Sequence, residues 1–139
     1  MRLSPLGILA LSAVALSLCF APTASANKRE PRFCEDPGIL RKITSRFRHQ
    51  VKNVPHLPDV AILEYRTIHE HRYLPYNDQF RIARRYCGAT VALSDGDHRS
   101  IWYLIEDGMG FAGIGDNVEF CVSGFDRWLV YNGGCRVLR

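Results

Sequence analysis

Past its first twenty residues the chain has no apolar run that approaches the length of a membrane span. It has no C-x-x-C pair and no H-x-x-x-H pair, the spacings on which small zinc modules are built. No serine sits in a G-x-S-x-G frame, because Ser123-Gly124 lacks the leading glycine, and His98 stands beside a turn with no obvious partner. Asp95-Gly96-Asp97 lacks the third oxygen ligand and the distal glutamate of a calcium loop. No internal repeat or low-complexity segment is present. Charge is also short on one sign: 18 Lys and Arg face 14 Asp and Glu, a formal net charge of +4. So mild and mixed a balance does not mark a nucleic-acid binder. These absences remove helical membrane proteins, zinc fingers, nucleophile-elbow hydrolases, EF-hands and repeat arrays as classes.

What is present begins with a leader. Arg2 gives a positive start, residues 6–20 are an apolar run, and Ala24-Ser25-Ala26 is a small-x-small cleavage site. That layout predicts a secretory signal peptide over 1–26 and a periplasmic or secreted mature chain, 27–139, of one domain. Cys19 leaves with the leader, and Leu18 stands where lipid attachment wants a small residue. Loss of Arg2 lowers the net charge to +3, so the mature chain has a mild basic excess that suits an acidic envelope surface. No stable membrane insertion is expected after cleavage.

The mature cysteines are Cys34, Cys87, Cys121 and Cys135. An even number in an oxidising compartment predicts two disulfides, for which three pairings exist. Cys121–Cys135, close in sequence across an expected hairpin, is favoured, which leaves Cys34–Cys87. By chain entropy the short loop is worth roughly 3 kcal/mol and the long one about 4 kcal/mol. A chain of this length buries only a thin core, so both contributions matter.

Residues 27–35 are polar and predict a flexible lead-in. Asp36-Pro37 is a helix start, with an N-cap followed by proline at the first helical position. Leu40, Ile43, Phe47 and Val51, with Ile39 beside them, recur at helical spacing, and Arg41, Lys42, Ser45, Arg48 and Lys52 fill the other face. One amphipathic helix over 37–52 follows. Pro55 and Pro58 end it. Strand patterns then run over 60–73, 81–94, 99–106 and 118–122, with Asp95-Gly96 as a hairpin turn. Trp128–Tyr131 and Cys135–Leu138, joined by Asn132-Gly133-Gly134, predict a closing hairpin. In the first strand the alternation puts Ala61, Leu63, Tyr65 and Thr67 on one face. The expected fold is α+β over 36–139: one N-terminal amphipathic helix on an antiparallel meander sheet, a cystatin-like order of elements, stapled by disulfides. The third strand is apolar on both faces, with Ile101, Tyr103 and Ile105 on one and Trp102 and Leu104 on the other. One helix covers one face only. The other needs the C-terminal hairpin, a partner, a ligand or a second copy of the chain.

The stretch 108–128, GMGFAGIGDNVEFCVSGFDRW, concentrates the candidate chemistry. Gly108-Met109-Gly110-Phe111-Ala112-Gly113 matches G-x-G-x-x-G, but turn formers and a strand pattern follow where a dinucleotide site requires a helix. No cofactor is expected. A glycine-rich connection with positive φ at several residues fits better, and its successive N–H groups offer an anion-binding concavity as a functional variant. Asp107, Asp116, Glu119 and Asp126 offer carboxylate pairs, and Glu119 with Asp116 or Asp126 is the set a small cell-wall hydrolase would use. Turn capping by Asp116 and Asn117 is the structural counterpart. Arg127 and Trp128 are residue types that anchor interfaces, although burial in the thin core is the favoured place for Trp128. His69-x-His71 puts two imidazoles on one strand face without a third ligand, so no metal is assigned. Arg81, Arg84 and Arg85 would pair with Glu64 and Glu70 across the sheet, or, as the functional alternative, grip a carboxylate or phosphate bidentately.

The C-terminal half, in particular GFAGIGDNVEFCVSGFDRWLVYNGGCRVLR, resembles small exported alphaproteobacterial proteins of unknown function over 86–139. The resemblance implies a periplasmic protein and no activity. The expected function is a non-catalytic, inhibitor-like or envelope-component-binding module. Its binding surface is Asp116, Asn117, Glu119, Asp126, Arg127 and Trp128, and its partner is an envelope protein or glycan. The alternatives are the carboxylate-pair hydrolase and a structural homodimer. Thiol titration of the unfolded, unreduced mature chain should find no free cysteine; four reactive thiols would refute the disulfide framework.

Overall fold

A computed structural model describes residues 33–139. The leader 1–26 and lead-in residues 27–32 lie outside the described residues. The fold is α+β: one helix, a four-stranded antiparallel sheet and two disulfides.

Helix α1 (Pro37–Asn53) starts where its cap dictates. Asp36 Oδ1 accepts the N–H groups of Gly38 and Ile39 at 2.7 and 3.0 Å, answering two donors that have no partner inside the helix. The N–H of Val54 donates to Gln50 O at 2.9 Å, and Pro55 follows. Ile39, Ile43, Phe47 and Val51 are buried at the expected spacing. Full burial of Ile43 and Phe47 contributes roughly 1.5–3 kcal/mol each.

Strands β1 (Ile62–Leu74), β2 (Arg84–Leu93), β3 (His98–Glu106) and β4 (Asn117–Val122) form a meander in the order β1-β2-β3-β4. The β2–β3 hairpin turns at Gly96, whose φ of +90° explains the glycine. β2 starts three residues later than its pattern suggests. Before it, Asn77 Oδ1 accepts the N–H groups of Gln79 and Phe80, closing a turn ahead of Arg81. β3 carries the core on both sides. Ile101, Tyr103 and Ile105 pack with the helix stripe, Val91, Val118 and Val122. Leu104 packs on the far face with Cys121, Cys135 and Leu138, flanked by Trp102, Tyr86 and Tyr131.

The sequence pattern fails in two places, each for a physical reason. In β1 strict alternation predicts Leu63 inside, yet Leu63 is 69 % exposed. The register shifts between Ile62 and Glu64, between Arg66 and His69, and between Glu70 and Arg72. Each extra residue inverts the facing that follows it. The helix side therefore keeps Tyr65 as expected but receives Ile62 and Ile68 in place of Ala61, Leu63 and Thr67. Thr67 takes φ = +50° in the middle bulge. Bulges on this edge strand also blunt it against pairing with another chain.

The closing hairpin is the second correction. After β4 the chain makes successive tight turns and no strand. Leu129, Asn132, Gly133, Gly134 and Cys135 all have positive φ, which a ladder strand does not allow. Leu129 N–H donates to Asp126 O, Asn132 N–H to Leu129 O, and Leu138 N–H to Cys135 O. This coiled segment, rather than a hairpin, covers the far face of β3.

The two cross-links are Cys34–Cys87 and Cys121–Cys135. Phe33–Glu35, within the expected lead-in, form a single 3-10 turn with Cys34 buried. The Tyr103 hydroxyl donates to Cys34 O at 2.6 Å, and burial raises its phenol above the ordinary range. Replacing Cys121 and Cys135 together by serine should lower stability by roughly 3 kcal/mol. Hydrogen exchange should then lose protection in 124–138 before β2 and β3. An unchanged urea midpoint would show that packing alone holds the segment.

Candidate functional site

The candidate residues lie along β4, and the strand separates them. Asp116 and Asn117 stand at its start; Asp126, Arg127 and Trp128 follow its end. Six residues of extended chain put about 20 Å between the two groups. Glu119 lies between them with the side-chain parity of Cys121, so it belongs to the face covered by the C-terminal segment. The six residues do not form one surface.

At the start of β4 they hold a loop. Asn117 Nδ2 donates to Glu106 Oε2 at 3.0 Å, and Arg84 Nε donates to Glu106 Oε1 at 2.9 Å. Glu106 thus ties together the ends of β2, β3 and β4. Burial pushes its carboxyl up, but the bonds from Arg84 and Asn117 and the Arg84 charge outweigh burial and hold it below the usual value. Asp116 Oδ1 accepts the Gly108 N–H at 3.0 Å and closes the glycine loop. Within that loop Gly110 N–H donates to Gly115 O, Gly113 N–H to Gly110 O, and Ile114 N–H to Phe111 O. These donors are engaged inside the loop, which weighs against the anion concavity. Close approach explains Gly110, where a Cβ would lie 2.1 Å from Ile114 O. A strand, β4, follows the third glycine of the G-x-G-x-x-G match, with no α-helix between. Burial, then the neighbouring Asp116 charge, raises the Asp107 carboxyl.

At the end of β4 the chain turns against the helix. Phe125 is buried, with its ring edge-on to Phe47 at 5.0 Å between centroids. Both oxygens of Asp126 are engaged: Oδ1 accepts Tyr131 N–H at 3.3 Å and Oδ2 accepts Gly133 N–H at 3.1 Å. With Phe125 filling the core, Trp128 is left 66 % exposed, and Leu129 and Val130 stand out beside it.

Between this turn and α1 lies a cleft of about 510 Å³, within the range of small-molecule sites. Its floor is Phe120, Cys121, Val122 and Phe125; Asp126, Arg127, Trp128, Val130 and Tyr131 form one wall. The other wall is the helix, with Ser45, Arg46, His49 and Gln50. Asp126, Arg127 and Trp128 therefore share a site, while Asp116, Asn117 and Glu119 lie outside its lining.

The helical wall is what the sequence does not disclose. Lys42, Arg46 and Gln50 are four residues apart and share one side of α1. Lys42 Nζ donates to Asp116 O at 3.0 Å, Arg46 Nη1 to Val118 O at 2.6 Å, and Gln50 Nε2 to Phe125 O at 3.0 Å. This ladder ties the helix to the open edge of β4. A donor at every fourth position flanking the apolar stripe is a readable signal. Its acceptors, more than seventy residues away, are not.

The other expected constellations divide. Arg85 pairs with Glu70 at 2.8 Å as expected, with its guanidinium over the Phe33 and Tyr73 rings. Arg84 pairs instead with Glu106, and Glu64 with Arg66. His69 and His71 both stand edge-on to Trp102, and His69 Nδ1 lies 2.9 Å from Thr67 O. Burial, then the His69 and Arg72 charges, lowers the His71 imidazole. Among the described residues no three His, Cys, Asp or Glu side chains gather as a metal site, and no helix is long and apolar enough to cross a membrane.

Asp126→Ala frees two backbone donors and should cost about 1 kcal/mol, given the length of both bonds. Asp126→Asn keeps one acceptor and should cost less. Equal stability of all three proteins in urea melts would show that the turn holds without the carboxylate. Compared with known protein families, curated proteins and solved structures, the chain matches none.

Proposed function

We propose that the protein is a periplasmic or secreted binding module that captures an envelope component, a protein, glycan or amphiphile, in the cleft between α1 and the turn after β4. One observation carries this reading: Trp128 is 66 % exposed on the rim of that cleft. An exposed tryptophan, flanked by Arg127 on a turn fixed by the Asp126 carboxylate and the Cys121–Cys135 bond, is a preorganised anchor. Two disulfides in a chain with a secretory leader pattern support an oxidising location. The cystatin-like order, helix then meander, belongs to the same proposal and carries no function of its own.

Binding is favoured over hydrolysis because both carboxylates that could partner Glu119 are spent on backbone: Asp116 Oδ1 accepts the Gly108 N–H, and Asp126 gives both oxygens to backbone donors. The homodimer reading loses its specific ground, since Leu104 on the far face of β3 lies under the chain's own Leu138 and Cys135.

Immobilised mature chain should capture its component from an envelope extract, and Trp128→Ala should lower capture at least tenfold with an unchanged melting temperature. Equal capture by the folded variant would overturn the assignment of the site.

A further inference from the structure

The chemistry of the cleft narrows the class of ligand. Its apolar surface comes from Phe120, Val122, Phe125, Trp128, Val130 and Tyr131. Its polar rim is rich in donors and poor in acceptors. Arg46 uses Nη1 on Val118 O and keeps the rest of its guanidinium fork. Arg127 and His49 add two further nitrogen groups. Of the lining residues only Asp126 is acidic, and both its oxygens already accept backbone N–H groups; Glu119, outside the lining, stands near enough to Tyr131 that its charge adds to burial in raising that phenol. Free acceptors reduce to the hydroxyls of Ser45 and Tyr131 and the amide oxygen of Gln50, whose nitrogen is held by Phe125 O. A sugar hydroxyl both donates and accepts, and this rim can meet its oxygen but answers few of its O–H donors. An anionic group needs donors and positive charge, which the rim supplies. The apolar walls need a hydrocarbon body.

We infer that the cleft binds a single-chain anionic amphiphile, its hydrocarbon chain along the Phe120–Trp128–Val130 wall and its carboxylate or phosphate head against Arg46, Arg127 and His49. The inference rests on the binding-module reading and names the ligand class for the same site. A monomeric fatty acid or lysophospholipid and the head group of an intact bilayer share this head chemistry. A cleft walled by α1 on one side and by the turn after β4 on the other fits the monomer.

The test is calorimetric titration of the mature chain, below each probe's micelle concentration, with tryptophan emission as a second readout. Dodecanoate and dodecyl phosphate should bind at least tenfold tighter than dodecyltrimethylammonium and dodecyl maltoside. Arg127→Gln with His49→Gln should weaken the anions at least tenfold while leaving the melting temperature and the weak maltoside binding unchanged. Arg46 is kept because it also ties α1 to β4. Equal affinity for all four dodecyl probes would overturn the inference, since apolar contact alone would then account for binding. Capture of phosphatidylglycerol vesicles without binding of free dodecanoate would overturn it in favour of a membrane surface. Binding of chitotetraose without dodecanoate would overturn it in favour of a glycan. Where no probe binds but Trp128→Ala still lowers envelope capture, the ligand class is wrong and the site stands; where capture is also unchanged, both fail.

Discussion

A strand that is apolar on both faces cannot rest at the surface, and β3 is such a strand. Ile101, Tyr103 and Ile105 need one cover and Leu104 with Trp102 needs another. A domain of this length has one long helix to offer. The second cover must come from chain with no regular structure, which brings little cooperative hydrogen bonding of its own. The rest of the architecture answers that requirement.

Each cover is tethered covalently and by polar contacts. On the helix side, Cys34–Cys87 fixes the turn before α1 to β2, and the Tyr103 hydroxyl holds Cys34 O from beneath. The Lys42, Arg46 and Gln50 ladder then fixes the helix along β4. On the far side, Cys121–Cys135 pins the coiled C-terminal segment, and Asp126 gathers two of its N–H groups. A cross-link in a coil acts mainly by limiting the unfolded ensemble. It therefore contributes most where regular structure contributes least. At the exposed edge of β4, Arg46 answers the Val118 carbonyl, while Lys42 and Gln50 hold the chain just before and just after the strand.

What was legible in the sequence was local. Apolar spacing places α1 to within a residue, Asp95-Gly96 places the β2–β3 hairpin, and the alternation of β2 and β3 assigns their faces because no bulge interrupts them. Fold class follows from these; the favoured cysteine pairing rests on the nearness of Cys121 to Cys135 in sequence and holds although the hairpin expected between them is a coil. What was not legible needed a partner strand or a distant acceptor. The β1 bulges depend on how β1 meets β2, so Leu63 reads as inward until the register shift is known. The closing hairpin failed because Asn132-Gly133-Gly134 is a turn signal in either conformation. The left-handed residues around it are selected by Asp126 and Cys121, which lie outside the segment. The candidate site was divided for a simpler reason: nearness in sequence across β4 is distance in space, because an extended strand carries its ends apart.

That division bears on what the cleft can do. Of the two carboxylates that could partner Glu119, Asp116 gives Oδ1 to the Gly108 N–H and Asp126 gives both oxygens to its own turn, so each holds backbone in place. A turn held against a helix can serve as a jaw. Its two walls are fixed by the ladder along β4 and by the disulfide with Asp126, and Gln50 joins one to the other through Phe125 O, so little ordering remains to be done when a ligand enters. The same bonds set its chemistry. By directing the Asp126 carboxylate inward to Tyr131 and Gly133, the turn spends the one acidic side chain of the lining on its own backbone and leaves Arg127 and Trp128 at the rim. The bonds that fix the shape of the cleft thus also decide which side chains are left to meet a ligand.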